Sequence, residues 1–308
     1  MDIRQLRYFA RIVETGSVSR ASRELHIAQP ALSKQLAVLE EELGVKLLTR
    51  SVRGVTPTEA GLAVFRHAQA ILRQMEATRA VAAQAGGGVS GHVAIGLPWT
   101  VTSMLGLDLL RQVRERLPGV RLEITEGPSA VVAQMLSQGK LDLAVVFGEE
   151  EPQGVRMKRL LQEPLWLVGT RDSLPGRKSM TLAKAVELPL LLLSRPNGIR
   201  ETIERLWSER GLTPNVVAEI NAPALLVQAV EQGIGYAILP SCAMEEKLRS
   251  GVIDAVGLRD VKVGRTAGLA TSMLFPMSIA AERVHLVVEE LVRQRVQEGR
   301  WQAELLTP

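Results

Sequence analysis

Ala28-Gln29-Pro30-Ala31-Leu32-Ser33-Lys34-Gln35-Leu36-Ala37-Val38-Leu39-Glu40-Glu41-Glu42-Leu43-Gly44 is the stretch that decides the N-terminal fold. Gln29-Pro30 starts a helix, with Pro at the first helical position, where its missing N–H costs nothing. Leu32, Leu36, Leu39 and Leu43 recur at helical spacing as one apolar stripe, and Gly44 ends it. A stripe this narrow anchors the helix by one side and turns Gln29, Ser33 and Lys34 outward near its N-terminus. Upstream, Asp2 can cap a first helix with Ile3, Leu6, Ala10 and Val13 on its buried face, and Gly16 supplies a left-handed stop. Ser17 can cap a short second helix carrying Val18, Ala21 and Leu25, which ends at His26-Ile27-Ala28. Small Ala21 allows the second and third helices to cross closely.

Two short helices joined by a tight turn describe a helix-turn-helix, whose second helix enters a major groove by its N-terminal residues. Gln29 and Ser33 can exchange hydrogen bonds with base edges, and Lys34 can reach a guanine or a phosphate. Downstream, Leu47-Leu48-Thr49-Arg50-Ser51-Val52-Arg53-Gly54-Val55-Thr56-Pro57-Thr58 reads as two short strands around a basic turn. Such a wing would lay Arg50 and Arg53 along the phosphate backbone or in a minor groove. Periodicity alone does not separate this reading from a small helical domain with ordinary surface charges.

Charge points the same way. The net charge of the 308 residues is +4. Residues 1–90 hold twelve Lys/Arg against eight Asp/Glu, whereas the rest of the chain balances at 25 of each. The positive excess therefore sits where phosphate neutralisation would need it. A charged fraction of 23 % and a hydrophobic fraction of 46 % are those of a globular protein. The single cysteine, Cys242, excludes an intramolecular disulfide and suits a reducing compartment. The first dozen residues carry Asp2, Arg4, Arg7 and Arg11, so they form no secretory signal core. Apolar runs such as Leu188 to Leu193 fall far below the roughly 18 residues of a membrane span. A cytoplasmic location with no membrane partner is the expectation.

The first sixty residues resemble the N-terminal domain of LysR-type transcriptional regulators. The resemblance rests on Leu6-Arg7-Tyr8-Phe9, Gly16-Ser17-Val18, Ala28-Gln29-Pro30-Ala31-Leu32-Ser33, Leu39-Glu40-Glu41-Glu42-Leu43-Gly44, Leu47-Leu48-Thr49-Arg50 and Thr56-Pro57-Thr58-Glu59-Ala60-Gly61, in that order and spacing. Lys34 stands where that family more often has Arg, which removes bidentate geometry. More loosely, the chain resembles the nitrogen-assimilation-control subgroup, for which a small effector need not be required. The resemblance implies DNA contacts from Gln29, Pro30, Ser33, Lys34, Arg50 and Arg53. It also implies promoter DNA with an interrupted palindrome and a homodimer or homotetramer, with RNA polymerase as a further candidate partner.

From Thr58 a helix runs to about Ala85, roughly 40 Å at 1.5 Å per residue. Val64, Ala68, Ile71, Met75, Thr78 and Ala82 follow the alternating spacing of a coiled-coil seam, and Leu62, Phe65 and Leu72 lie on a neighbouring face. The alternative is a helix packed on its own subunit; the resemblance favours pairing through Val64, Ala68, Ile71 and Met75. Gly86-Gly87-Gly88 with Ser90-Gly91 reads as a hinge.

Beyond Val93, strand-like runs alternate with amphipathic stretches. The strands expected are Val93 to Leu97, Val120 to Thr125, Leu141 to Phe147, Leu165 to Val168, Leu190 to Leu193, Val216 to Ile220, Tyr236 to Leu239 and Ala267 to Phe275. Met104 to Arg116, Ala130 to Gln138, Ile199 to Arg210 and Ala224 to Gln232 read as helices. Buried parallel strands alternating with helices imply an α/β architecture. Gly-Lys-Leu-Asp-Leu-Ala at 139–144 and Gly-Ile-Gly-Tyr-Ala-Ile-Leu-Pro at 233–240 resemble the same family's effector domain, two lobes like a periplasmic binding protein. The expected organisation is a winged helix-turn-helix at 1–58, a linker helix and hinge at 59–90, a first lobe at 91–163 with 267–300, and a second lobe at 164–266.

Open α/β sheets bind ligands beyond the carboxyl ends of their strands, where helix N-termini attract anions. The turns at Pro98-Trp99-Thr100, Gly127-Pro128-Ser129 and Phe147-Gly148 are candidates, with Ser194, Arg195, Asn197 and Asn221 from the second lobe. Thr100 and Ser129 match, by resemblance, positions that hold an effector carboxylate; each can equally be an ordinary helix cap. Trp99 either stacks on a ligand or fills the cleft. The effector set expected is therefore Trp99, Thr100, Ser129, Phe147, Ser194 and Asn197, around a small carboxylate. The four histidines are scattered, and no metal-ligand spacing or cofactor fingerprint appears. Ser137-Gln-Gly-Lys140 lacks the companion motifs of an acyl-transfer enzyme, so no enzyme is expected. A solute-binding protein built on the lobes would leave the first ninety residues without a role, and a nonspecific nucleoid protein would be far more basic.

Overall fold

The computed structural model describes residues 1–51, 54–83, 88–174 and 179–306. The chain divides into two compact units, Met1–Gly88 with Leu274–Pro276, and Val89–Met273 with Met277–Pro308.

The first unit begins with three helices, α1 (Ile3–Thr15), α2 (Val18–Glu24) and α3 (Gln29–Leu43). Asp2 and Gln5 cap α1 reciprocally: each side chain accepts the other's backbone N–H at 2.8 Å. Gly16 ends α1 at φ +64°, and the Ser17 hydroxyl accepts from the Arg20 N–H to start α2. The α2 terminus differs from the usual glycine stop. His26 takes φ +55°, the Ile27 N–H reaches the Ser22 carbonyl at 3.0 Å, and the His26 N–H reaches Arg23 at 3.2 Å. This Schellman arrangement satisfies the last carbonyls of the helix. α3 starts at Gln29, so Pro30 holds the second helical position, one later than expected.

Leu32, Leu36 and Leu39 are buried with Leu6, Phe9, Ala10, Ile12, Val18 and Ala21 in one core. Each such large side chain contributes about 1.5–3 kcal/mol by leaving water. Leu43 and Ile3 depart from the expected faces; both are exposed, in terminal turns that extend past the core. Strands β1 (Leu48–Ser51) and β2 (Gly54–Pro57) pair antiparallel, Arg50 opposite Val55, which gives the wing. Helix α4 (Glu59–Ala83) follows, capped by the Thr58 hydroxyl, which accepts from the Gly61 N–H at 3.0 Å. Gly61 passes so close to the wing that a Cβ there would lie 1.9 Å from the Leu47 carbonyl oxygen.

The second unit is built on a nine-stranded mixed sheet. In chain order it contains β3 (Ser90–Leu97), α5 (Trp99–Arg116), β4 (Gly119–Glu126), α6 (Ser129–Ser137), β5 (Leu143–Phe147) and the long β6 (Val155–Thr170). Then come β7 (Ser179–Met180), α7 (Leu182–Ala185), β8 (Leu190–Leu193), α8 (Gly198–Glu209), β9 (Val216–Ile220), α9 (Pro223–Glu231) and β10 (Ala237–Pro240). α10 (Glu245–Arg249), β11 (Ile253–Leu258), β12 (Gly264–Ser272), α11 (Ile279–Gln297) and β13 (Glu304–Leu305) complete it. The expected all-parallel pairing holds for β3 with β4 and β5 and for β8 with β9. It fails at β12, which runs antiparallel to β5 and β6, and at β6, which also takes β10, β11 and β13 antiparallel.

β6 explains the two lobes. Its first part pairs with β12, and from Leu165 onward it pairs with β10 and β11. One core gathers residues between Leu165 and Val263; another gathers Val93 to Leu161, Cys242, Ala267 to Val292 and Trp301. Glu163 and Pro164 lie where the strand passes from one core to the other. Among the described residues no helix is long and apolar enough to cross a membrane.

Candidate nucleic-acid interface and ligand cleft

On α3, burial of Leu32, Leu36 and Leu39 leaves Gln29, Pro30, Ala31, Lys34, Ala37 and Val38 exposed. Lys34 lies opposite the buried stripe, while Ser33 is half-buried on the shoulder of the helix. Ala28 provides no side-chain cap, so the α3 amide groups are uncovered at the end where Gln29 sits. An uncapped helix N-terminus attracts phosphate oxygens. Arg50 is exposed on β1. Arg53 and Val52, at the tip of the expected wing, lie outside the described residues.

The wing is fixed to α3 by a buried carboxylate that the sequence reading did not single out. Glu40 accepts the Leu47 N–H at 2.9 Å and the Leu48 N–H at 3.3 Å, and the Lys46 ammonium at 2.8 Å. Burial acts on this carboxyl most and would raise its pKa. The Lys46 bond and the two amides together outweigh it, holding Glu40 below the usual carboxylate range.

On α4 the expected seam divides. Ala68 is fully buried in the first unit's own core beside Phe65, so its methyl does not face a partner. Val64 and Leu72 pack against that core as well. Ile71 is exposed and Met75 half-buried on the flank next to it, and Leu62, expected to pack on the winged domain, is exposed. The Ala82 side chain, Gly86 and Gly87 lie outside the described residues, whereas Ser90 and Gly91, expected in the hinge, open β3.

In the second unit a cleft of about 770 Å³ opens between the lobes. Three helices begin at it. α5 and α6 start behind Pro98 and Pro128 with no side-chain cap, whereas the Asn197 carboxamide accepts from the Ile199 and Arg200 N–H groups to cap α8. Trp99, Thr100, Ser129, Phe147 and Asn197 all line the cleft. Ser194 does not: it follows β8, its N–H bonded to the Ile220 carbonyl. Arg195 and Asn221 are likewise outside the lining, and Arg195 pairs with Glu204. Trp99 packs against the second lobe's core as well as lining the cleft, so it fills space between the lobes.

The two hydroxyls are already engaged. Ser129 Oγ accepts the Phe147 N–H at 2.8 Å, and the fully buried Thr100 Oγ1 accepts from Arg265 Nη2 at 2.9 Å. Arg265, absent from the sequence reading, lies 3.5 Å over the Phe147 ring and donates through Nε to Glu163 Oε1 at 2.6 Å. Glu163 is wholly buried and also accepts from Trp301 Nε1 at 2.6 Å and Cys242 Sγ at 3.2 Å. Burial first, and the Glu163 charge second, push the Cys242 thiol well above its ordinary range, so it stays protonated and donates.

Comparison with known proteins agrees with this architecture. Residues 3–62 match the model of the bacterial regulatory helix-turn-helix protein, lysR family, and residues 86–293 match the LysR substrate binding domain. The chain therefore belongs to the LysR family of DNA-binding transcriptional regulators, and it is not an enzyme. It is 41% identical over 244 residues to the nitrogen assimilation regulatory protein nac of Escherichia coli, covering 79% of each chain. It is 39% identical to the protein of the same name from Klebsiella aerogenes, with the same coverage of both. A full-length OxyR variant from Pseudomonas aeruginosa shares the fold at a TM-score of 0.75 and 25% identity, over 95% of both chains. CbnR complexed with its target DNA matches at 0.62 and 22% identity, over 96% of this chain and 99% of that one. At that identity the likeness shows the fold alone.

Proposed function

We propose that the protein reads an interrupted palindrome in promoter DNA as a dimer or a pair of dimers in the cytoplasm, where it would meet RNA polymerase. The observation that carries this reading is α3: its leucine face is locked into a core while Gln29, Pro30 and Lys34 stand exposed beside an uncapped N-terminus. Gln29 and Lys34 would meet base edges, Ser33 the groove wall, and Arg50 and Arg53 the backbone. Two-fold pairing through the flank of α4 that carries Ile71 and Met75 would present two such helices to two half-sites. In the inter-lobe cleft a small anion would be received by the open N-termini of α5 and α6 and by Arg205 on α8.

Selection of random duplexes on the full chain, followed by gel shift, tests the reading. Lys34→Ala is expected to weaken the selected duplex by about tenfold, in the range of one lost base contact, and random duplex by much less. Equal loss on both would remove Lys34 from base readout. Failure to recover any duplex that outcompetes random DNA would overturn sequence-specific binding.

A further inference from the structure

A helix in a groove and a strand on the backbone recognise DNA together only if their separation is fixed. Here α3 ends at Leu43 and β1 begins at Leu48, with four residues between them. One residue of α3 holds that connection twice. The Glu40 carbonyl accepts the Val45 N–H at 3.2 Å, and its carboxylate reaches on to the amides of Leu47 and Leu48. Leu47 and Leu48 are buried, and Leu48 is the first residue of the wing. From there the register runs Leu48 to Pro57, Thr49 to Thr56 and Arg50 to Val55. The position of Arg50 is thus set two residues away from an atom that Glu40 holds.

An apolar side chain at position 40 would fill the same space but leave two buried N–H groups without acceptors. A carboxylate accepts both through charge-assisted bonds, and Lys46 neutralises it from the solvent side. We propose that Glu40 is a positioning residue for DNA binding: it sets the distance between recognition helix and wing, and through β1 it places Arg50 on a phosphate. The inference rests on the reading that Arg50 meets the backbone.

A double-mutant cycle on the full chain tests it, using a duplex selected by the wild type and thermal unfolding as the control. Arg50→Ala is expected to lower the salt slope of affinity by about one unit. One phosphate contact makes affinity fall about 3.5-fold more between 50 and 200 mM salt. Glu40→Ala is expected to lower the slope by a similar amount, and Arg50→Ala on top of it to add nothing. Glu40→Gln, which keeps an acceptor, is expected to restore part of the slope.

If Arg50→Ala costs the same slope in both backgrounds, or Glu40→Ala lowers only the melting temperature, Glu40 is structural and the inference is overturned. Should Glu40→Ala not fold, the cycle run with Glu40→Gln decides by the same additivity criterion. If Arg50→Ala alone leaves the slope unchanged, the phosphate reading of Arg50 fails, and this proposal with it. A slope that Arg50 moves but Glu40 does not share sinks the positioning role alone.

Discussion

Replacing Arg265 by Met isolates the charge that balances Glu163. Glu163 is wholly buried, and only 12% of the Arg265 side chain is exposed. In Arg265→Met the carboxylate keeps its bonds from Trp301 and Cys242 but loses its one cationic partner among the described residues. Removing one member of a buried pair costs about 3–5 kcal/mol, because the other charge remains without compensation. At about 2–4 °C per kcal/mol for a unit of roughly 200 residues, the transition of the second unit should fall by about 6–20 °C. Glu163→Gln should cost less, because the Arg265 left behind lines the cleft and can reach water. The double variant Glu163→Gln/Arg265→Met should recover more than half of the single loss, since neither charge is then stranded. Thermal unfolding of the full chain, followed by circular dichroism, measures all three. A shift below about 2 °C for Arg265→Met, or a double variant no more stable than that single one, would refute charge compensation as the force holding this crossing.

Gly61→Ala should destabilise the first unit by about 1–3 kcal/mol, because its Cβ would meet the Leu47 carbonyl at 1.9 Å and backbone must move; denaturant unfolding monitors it, and an unchanged midpoint contradicts the contact. Acid should weaken the same unit through Glu40. Its folded pKa lies below the ordinary 4.5, so its contribution is complete above that value and is lost as pH falls through the folded one. Glu40→Gln should flatten stability against pH in this window, and an identical profile in wild type and variant would exclude Glu40 as the group responsible.

The winged domain was legible because its signals are local. Asp2, Ser17, Gly16 and Gly44 act within three residues of themselves, and the leucine spacing of α3 is visible in one window. Tertiary context decides where the local rhythm misleads. Ile3 and Leu43 fit the apolar rhythm but lie in turns beyond the core, and Ala68 fits a seam but is buried in the core where α4 packs on α1. His26 carries no signal for a left-handed stop, since glycine is the residue that marks one. In the second unit Leu190–Leu193 and Val216–Ile220 were readable as whole strands. The first half of β6 was not, because Arg156, Lys158, Arg159 and Gln162 face water and interrupt any apolar run.

The cleft shows a different limit. Thr100 and Ser129 were placed at it by resemblance, and both are there, but their chemistry depends on residues distant in the chain. Arg265 is 165 positions from Thr100 and 102 from Glu163, and Trp301 is 138 from Glu163. No window of sequence holds such a network, and neither Glu163 nor Arg265 sits in a motif. The consequence alters the expected ligand chemistry. The Arg265 charge is balanced by Glu163, Thr100 is wholly buried, and Ser129, whose oxygen accepts the Phe147 N–H, keeps its O–H as one neutral donor, so these groups give an anion no net charge to pair with. What the cleft offers it instead are the amides that open α5 and α6 and the exposed guanidinium of Arg205. Backbone donors at a helix N-terminus favour a compact anion seated at the helix end. Binding should therefore respond more to Arg205→Ala than to Ser129→Ala.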